Sequence, residues 1–448
     1  MKSFSKILLI PIIAFILSIL LSYSYLDFRY NMSVGVGQAF TAISLAISNN
    51  FNVDEYSGSA GFDIINIKNH TYTAYAPFNS VLMGISYFVF RGFLEVFSNI
   101  IIIPAGIFEI VENIGLGIPS SLAFMGIGFL LYKLLAKEAI SKNVIAIVLV
   151  STLFGTILFN YSVSFFHHII SAFFIFLSFY LIDKKSTNIN RFILVGLFSG
   201  LAFISEFPTG VFCISFLVYI VYLHLTKVLS LRKMFVILFF YGIGFSVSVI
   251  FILFYNYIHF GNPISFSESL LYLQHTSKGA IGHSFTQNPI YGWWGLYLSP
   301  LKGLFLISPA LVFAFYGLYK YWQFHKSNSI LIVTYIVILS TVYGMWPDCF
   351  GFSTFGPRFL ISIIPFLAYL SAFAILNRSL YIVYFLLTLY GMFICFFNLL
   401  DGIPSGTWFT RCRINEYGSL YKAVDYLKSL SRGNTDIAPV ILQEIIEK

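Results

Sequence analysis

Apolar runs of bilayer-crossing length follow one another along almost the whole chain. A helix needs about 20 apolar residues to cross the hydrocarbon core. Thirteen such runs are legible, at 6–25, 79–94, 96–112, 119–136, 144–160, 166–182, 191–206, 209–225, 234–256, 304–320, 329–345, 358–376 and 379–398. Lipid offers the backbone no hydrogen-bond partner, so such runs become helices that satisfy themselves. The expectation is an all-α integral membrane protein with about 13 transmembrane helices in one polytopic domain, 1–398, followed by a short tail, 399–448. Charged residues make up 10% of the chain and hydrophobic ones 58%. Soluble domains carry about a quarter charged residues, so water-soluble classes are excluded.

Charge sets the expected orientation. The net charge of +8 sits in short loops between apolar runs, such as Lys133, Lys137 and Lys142, then Lys184, Lys185 and Arg191, then Lys227, Arg232 and Lys233. That spread reads as orientation in a membrane, and nucleic acid is not an expected partner. Alternation of basic loops puts the N-terminus in the cytoplasm of a plasma-membrane protein and the C-terminus outside. It requires two crossings between 79 and 112, with Arg91 at an inner end and Glu112 at the outer face. The first 25 residues read as a retained helix. The long loops 26–78 and 257–303 both fall on the extracytoplasmic side, where long loops carry function. Cysteines 213 and 395 read as packing residues; Cys349 and Cys412 share the outer face, where a disulfide is open to them.

Within the first long loop, 34–48 has the spacing of an interfacial helix. Adjacent carboxylates follow at Asp54 and Glu55. One can accept a proton from an acceptor hydroxyl, and the other can position substrate or hold a divalent cation such as Mg or Mn; they read equally as ordinary acids of a solvated loop. Tyr75 lies in a tyrosine-rich entry to the second span. His167 and His168 stand at an outer helix end and suit a phosphate, a sugar hydroxyl or a metal; neighbours on a helix diverge, which argues against one shared metal. Glu206 is a lone acid at the lipid boundary, where acids are costly. Trp294, in a glycine- and aromatic-rich stretch, suits carbohydrate stacking or the aromatic belt. Lys302 and Arg358 are cations suited to a lipid phosphate; each reads also as an interfacial charge.

Four fragments in order carry a resemblance: the acidic Asp54-Glu55 in the first outer loop, FGNP from Phe260 to Pro263, GLYLSPLKGLFLISP from Gly295 to Pro309, and FGPRFLISIIPFL from Phe355 to Leu367. Together they resemble the GT-C superfamily of multi-pass glycosyltransferases, near the protein mannosyltransferase and aminoarabinose transferase-like group. The resemblance implies a sugar transferase that takes a polyprenyl- or dolichyl-phosphate donor and passes its sugar to a glycan, lipid or protein acceptor outside the cell membrane. It implies Asp54 as catalytic base, assisted by Glu55. Many relatives carry a large soluble domain after the spans, and 399–448 is too short for one. A transporter or flippase of lipid-linked sugars is the alternative; it calls for a polar path through the membrane, and the spans supply few polar residues for one.

Overall fold

The structure, a computed structural model, describes residues 6–25, 34–58, 63–182, 189–275, 285–300, 302–346, 355–376 and 378–400. The Cys349–Cys412 pairing and the tail lie outside them. Helix α1 (Leu9–Tyr25) leads to α2 (Val34–Ser48), where the spacing predicted it. A hairpin follows, β1 (Ile64–Ile67) and β2 (His70–Thr73), with Ile64 opposite Thr73 and Ile67 opposite His70. Lys68 and Asn69 turn it with φ of 50° and 64°, the twist a two-residue hairpin favours. The remainder is helical: α3 (Phe78–Ser98), α4 (Ala105–Lys137), α5 (Lys142–Phe154), α6 (Leu158–Ser162), α7 (His168–Leu181), α8 (Ile189–Ser205), α9 (Phe212–Leu225), α10 (Leu231–Phe260), α11 (Ser267–His275), α12 (Pro289–Leu298), α13 (Leu304–Ile307), α14 (Phe313–Phe324), α15 (Lys326–Gly344), α16 (Ile364–Ala374) and α17 (Arg378–Leu400).

Among the described residues, six helices are long and apolar enough to cross a membrane, and shorter apolar helices accompany them. Large side chains such as Phe88, Phe239, Ile250, Phe254 and Phe393 face outward. Outward apolar faces suit lipid, where no hydrophobic force drives helices together and close backbone contact takes over. The α8–α10 crossing is built that way. A Cβ on Gly196 would lie 2.0 Å from the Tyr241 carbonyl oxygen, and one on Gly244 would lie 1.9 Å from that of Ile193.

Residues 79–137 hold two helices where three spans were expected. The 96–112 span has no helix of its own: it takes in the end of α3, the turn at 99–104 and the first turns of α4. Arg91 Nη1 lies 3.4 Å from Glu112 Oε1, and Arg91 Nε donates to Glu95 at 2.9 Å. Residues on opposite membrane faces cannot touch, so an inner Arg91 with an outer Glu112 is corrected. Hydropathy found the apolar residues but could not see that α4 runs on for 33 residues, about 50 Å at 1.5 Å per residue.

Packing gathers around α4, α5, α7, α9 and α14 to α16, with Phe176, Tyr335, Phe366 and Tyr369 fully buried. Asn160, in a glycosylation-type triplet, is enclosed there; its side-chain nitrogen donates to the Cys395 carbonyl at 3.0 Å.

Candidate active site

The elements of the first loop meet α7, α8 and the 358–363 segment at one buried place. The hairpin is fastened at both ends. Val53 N–H donates to Thr71 O at 2.8 Å and Ala74 N–H to Asp63 O at 2.9 Å. Asp63 therefore sits at the foot of β1, where it accepts a hydrogen bond from the Tyr75 hydroxyl. Burial first, then the Asp63 carboxylate, push the Tyr75 phenol well above its ordinary range, so it stays a donor. The Tyr75 ring packs on His167, with centroids 5.7 Å apart.

His167 precedes α7 as its cap residue and His168 is its first residue. Their rings lie 4.3 Å apart, closer than divergence along a regular helix suggests, because the chain is turning out of α6 at 163–167. Ligating atoms of His167, His168 and Glu206 all lie within 4.8 Å of one another. The expectation that these histidines point apart is therefore corrected. Glu206 ends α8. Both its oxygens accept hydroxyls, one from Ser171 and one from Tyr343. His168 Nδ1 is 3.0 Å from Glu206 Oε1 but is not aligned to bond it, and among the described residues it has no hydrogen-bond partner.

Arg358 completes the group. Gly356 turns the chain into it with φ of 65°, a conformation that glycine adopts without strain. The guanidinium is wedged over Phe166 and Phe359, 5.5 and 5.1 Å from the ring centroids. Phe359 stacks on Tyr343 at 4.5 Å. Arg358 is 5% exposed, yet its Nε and Nη1 have no hydrogen-bond partner among the described residues. A buried donor left without a partner is costly. Two on one guanidinium leave it donors to offer an anion.

Glu268, near the start of α11, borders this group. Helix α11 is docked on β1: Gln274 Nε2 donates to Asn66 O at 2.9 Å and Gln274 Oε1 accepts from Asn66 N–H at 3.2 Å. Burial, together with the Glu206 and Asp63 carboxylates, raises the Glu268 carboxyl to about 7.

Of the residues singled out in the sequence, Tyr75, His167, His168, Glu206 and Arg358 are brought together. Asp54 is elsewhere on the loop, in a turn with solvent-exposed Glu55. Its Oδ1 accepts from Thr71 N–H and its Oδ2 pairs with His70 Nδ1 at 2.7 Å. Burial opposes the charge, but these bonds outweigh it and hold the Asp54 carboxyl below its ordinary value. Lys302 is buried in the turn after α12. Trp294 lies on an exposed face of α12, 46% accessible, and stacks with Tyr291. Sequence reading missed Asp63, Gln38, Asn79 and Tyr343 as site residues. Asp63 precedes the alternating Ile64–Thr73 segment, a readable hairpin signal; the others carry none.

No family profile matches this chain, and no curated protein does. Among the solved structures similar to it are two of one protein. One is ArnT from Cupriavidus metallidurans bound to undecaprenyl phosphate, 12% identical over 83% of this chain and 61% of that one, with a TM-score of 0.47. The other is the same protein in the apo state, 10% identical with the same coverage and a TM-score of 0.48. This chain spans about three-fifths of their length. At that level of likeness no residue role passes from them to this chain.

Proposed function

We propose that this protein is a membrane glycosyltransferase that takes a sugar from a polyprenyl- or dolichyl-phosphate donor and passes it to an acceptor at the extracytoplasmic face. The observation that carries the reading is the buried Arg358 with two unpartnered N–H donors among the described residues, beside the Phe166 and Phe359 rings. A lipid phosphate keeps its tail in the bilayer and offers the guanidinium an oxyanion. The acceptor hydroxyl oxygen attacks the anomeric carbon, and the bond from that carbon to the phosphate oxygen breaks. The phosphate leaves with the electron pair, and Arg358 stabilises the charge. The acceptor proton passes to a carboxylate. Asp63 suits this role better than Asp54, because the Asp54 oxygens are occupied by the hairpin.

The same reading fixes the side of the membrane. From the Lys133–Lys137 end of α4, about 20 residues fill the hydrocarbon core. Glu109 and Glu112 then stand above the outer boundary, and so does Arg91, which pairs with Glu112. Helix α3 thus runs along the outer face and does not cross, which keeps the basic loops inside with two spans fewer.

The test is transfer from a radiolabelled polyprenyl-phosphate sugar in reconstituted vesicles, wild type beside Arg358→Lys. Lysine keeps the charge and loses the planar set of N–H donors. Transfer is expected to drop by roughly 10²–10³-fold. Equal transfer in both proteins sinks the reading. Lipid-linked sugar crossing the bilayer without transfer would assign a transporter instead.

A further inference from the structure

The spacing of His167, His168 and Glu206 admits a metal ion, but a hydrogen-bond chain behind His167 is wired for something else. The chain starts at the Phe165 carbonyl, which can only accept. Asn79 Nδ2 donates to it at 3.0 Å, and the same nitrogen donates to Gln38 Oε1 at 2.7 Å. That leaves Gln38 Nε2 facing His167 Nδ1 at 3.0 Å. An amide nitrogen can only donate, so Nδ1 accepts. A ring nitrogen that accepts is bare, and the single hydrogen of the neutral imidazole is on Nε2.

The orientation of the two amides follows from their partners. Turning Asn79 over would set its oxygen against the Phe165 carbonyl. Turning Gln38 over alone would bring two NH2 groups face to face. Gln38 and Asn79 are fully buried and His167 is 6% exposed, so a mismatch there is costly; in this orientation Asn79 Oδ1 alone of the three side chains' amide atoms has no partner among the described residues. Three elements are tied at this point: Gln38 comes from α2, Asn79 from the first turn of α3, and His167 from the cap of α7. The Ser80 hydroxyl also donates to Gln38 O at 3.0 Å.

Metal ligation needs the opposite wiring. A histidine that binds metal through Nε2 donates its Nδ1–H to an acceptor, and one that binds through Nδ1 has to displace Gln38. We infer that Gln38 and Asn79 are positioning residues that hold His167 as its Nε2–H tautomer, making it a neutral hydrogen-bond donor to an anionic phosphate oxygen and not a metal ligand. The anion part rests on the proposed lipid-phosphate donor; the wiring does not. Neutral imidazole donors of this kind occur at other catalytic sites.

The experiment uses the full chain in nanodiscs with 15N-labelled histidine, the His167 signals being those lost in His167→Gln. Wild type is expected to show a bare Nδ1 and a protonated Nε2. Gln38→Glu can only accept, so it should put a proton on Nδ1 and raise zinc affinity about tenfold. His167→Gln, which keeps an N–H donor, should retain more binding of undecaprenyl phosphate than His167→Ala. A protonated Nδ1 in wild type overturns the inference, as does zinc binding by wild type that is lost in His167→Ala. Equal lipid affinity in His167→Gln and His167→Ala overturns the donor role. If wild type binds no undecaprenyl phosphate, the proposed function fails, while the wild-type spectrum and zinc titration still decide the wiring.

Discussion

Single residues in this protein are sorted by what their neighbours already use. Asp54 and Asp63 lie on the same loop, but the hairpin consumes the first and sets the second against Tyr75. Asp63→Asn is therefore expected to slow sugar transfer by roughly 10²–10⁴-fold, and Asp54→Asn to leave the chemical step nearly intact, both read by initial rates in vesicles. Asp54 contributes instead to holding the loop. Its folded carboxyl is held below the ordinary range, so its stabilisation is present above that range and fades as pH falls through the folded value. Acid should open the hairpin to protease in wild type, and Asp54→Asn should respond little to the same pH drop. Glu268 has the opposite sign. Its folded carboxyl is raised to about 7, so its contribution is complete below the ordinary glutamate range and is lost as pH rises through about 7. Thermal unfolding at about pH 8 is expected at a higher temperature in Glu268→Gln than in wild type, with the gap closing toward about pH 4.

Helices meet here through missing side chains as much as through large ones. The α8–α10 contact leaves no room at Gly196 or Gly244. Gly244→Ala must push Ile193 and its turn aside, at a cost of about 1–3 kcal/mol for an overpacked contact, seen as a lower midpoint in detergent unfolding. Gly242, one turn face away with nothing within 4 Å of an added Cβ, provides the control: Gly242→Ala should cost little. The spacing of Gly196 with Gly200, and of Gly244 with Ser248, is a small-residue pattern that brings membrane helices close; it is present in the sequence and pairs only in the fold. The hairpin is similar, since alternation along Ile64–Thr73 is visible but its docking on α11 is not.

Across the whole molecule, the count of crossings hinges on α3. A cysteine at Ile102, which is 97% exposed in the turn after α3, should be labelled by a membrane-impermeant maleimide from the outside of intact cells. Labelling only after permeabilisation would mean that α3 crosses and that every later loop changes side. The sequence by itself determined the solvent of this protein, because 58% hydrophobic residues arranged in helix-length runs leave no other environment. It determined α2 and drew attention to Tyr75, His167, His168, Glu206 and Arg358, since polar groups at a lipid boundary are conspicuous. Only the tertiary structure decided that these five meet, that Asp63 joins them while Asp54 is spent on the hairpin, and that 79–137 folds into two helices. The physical reason is that hydropathy and spacing act along the chain, over a turn or two of helix. The partners that settle each role come from distant segments, as Gln38, Asn79 and Phe165 do around His167, and Arg91 and Glu112 do across the α3–α4 turn.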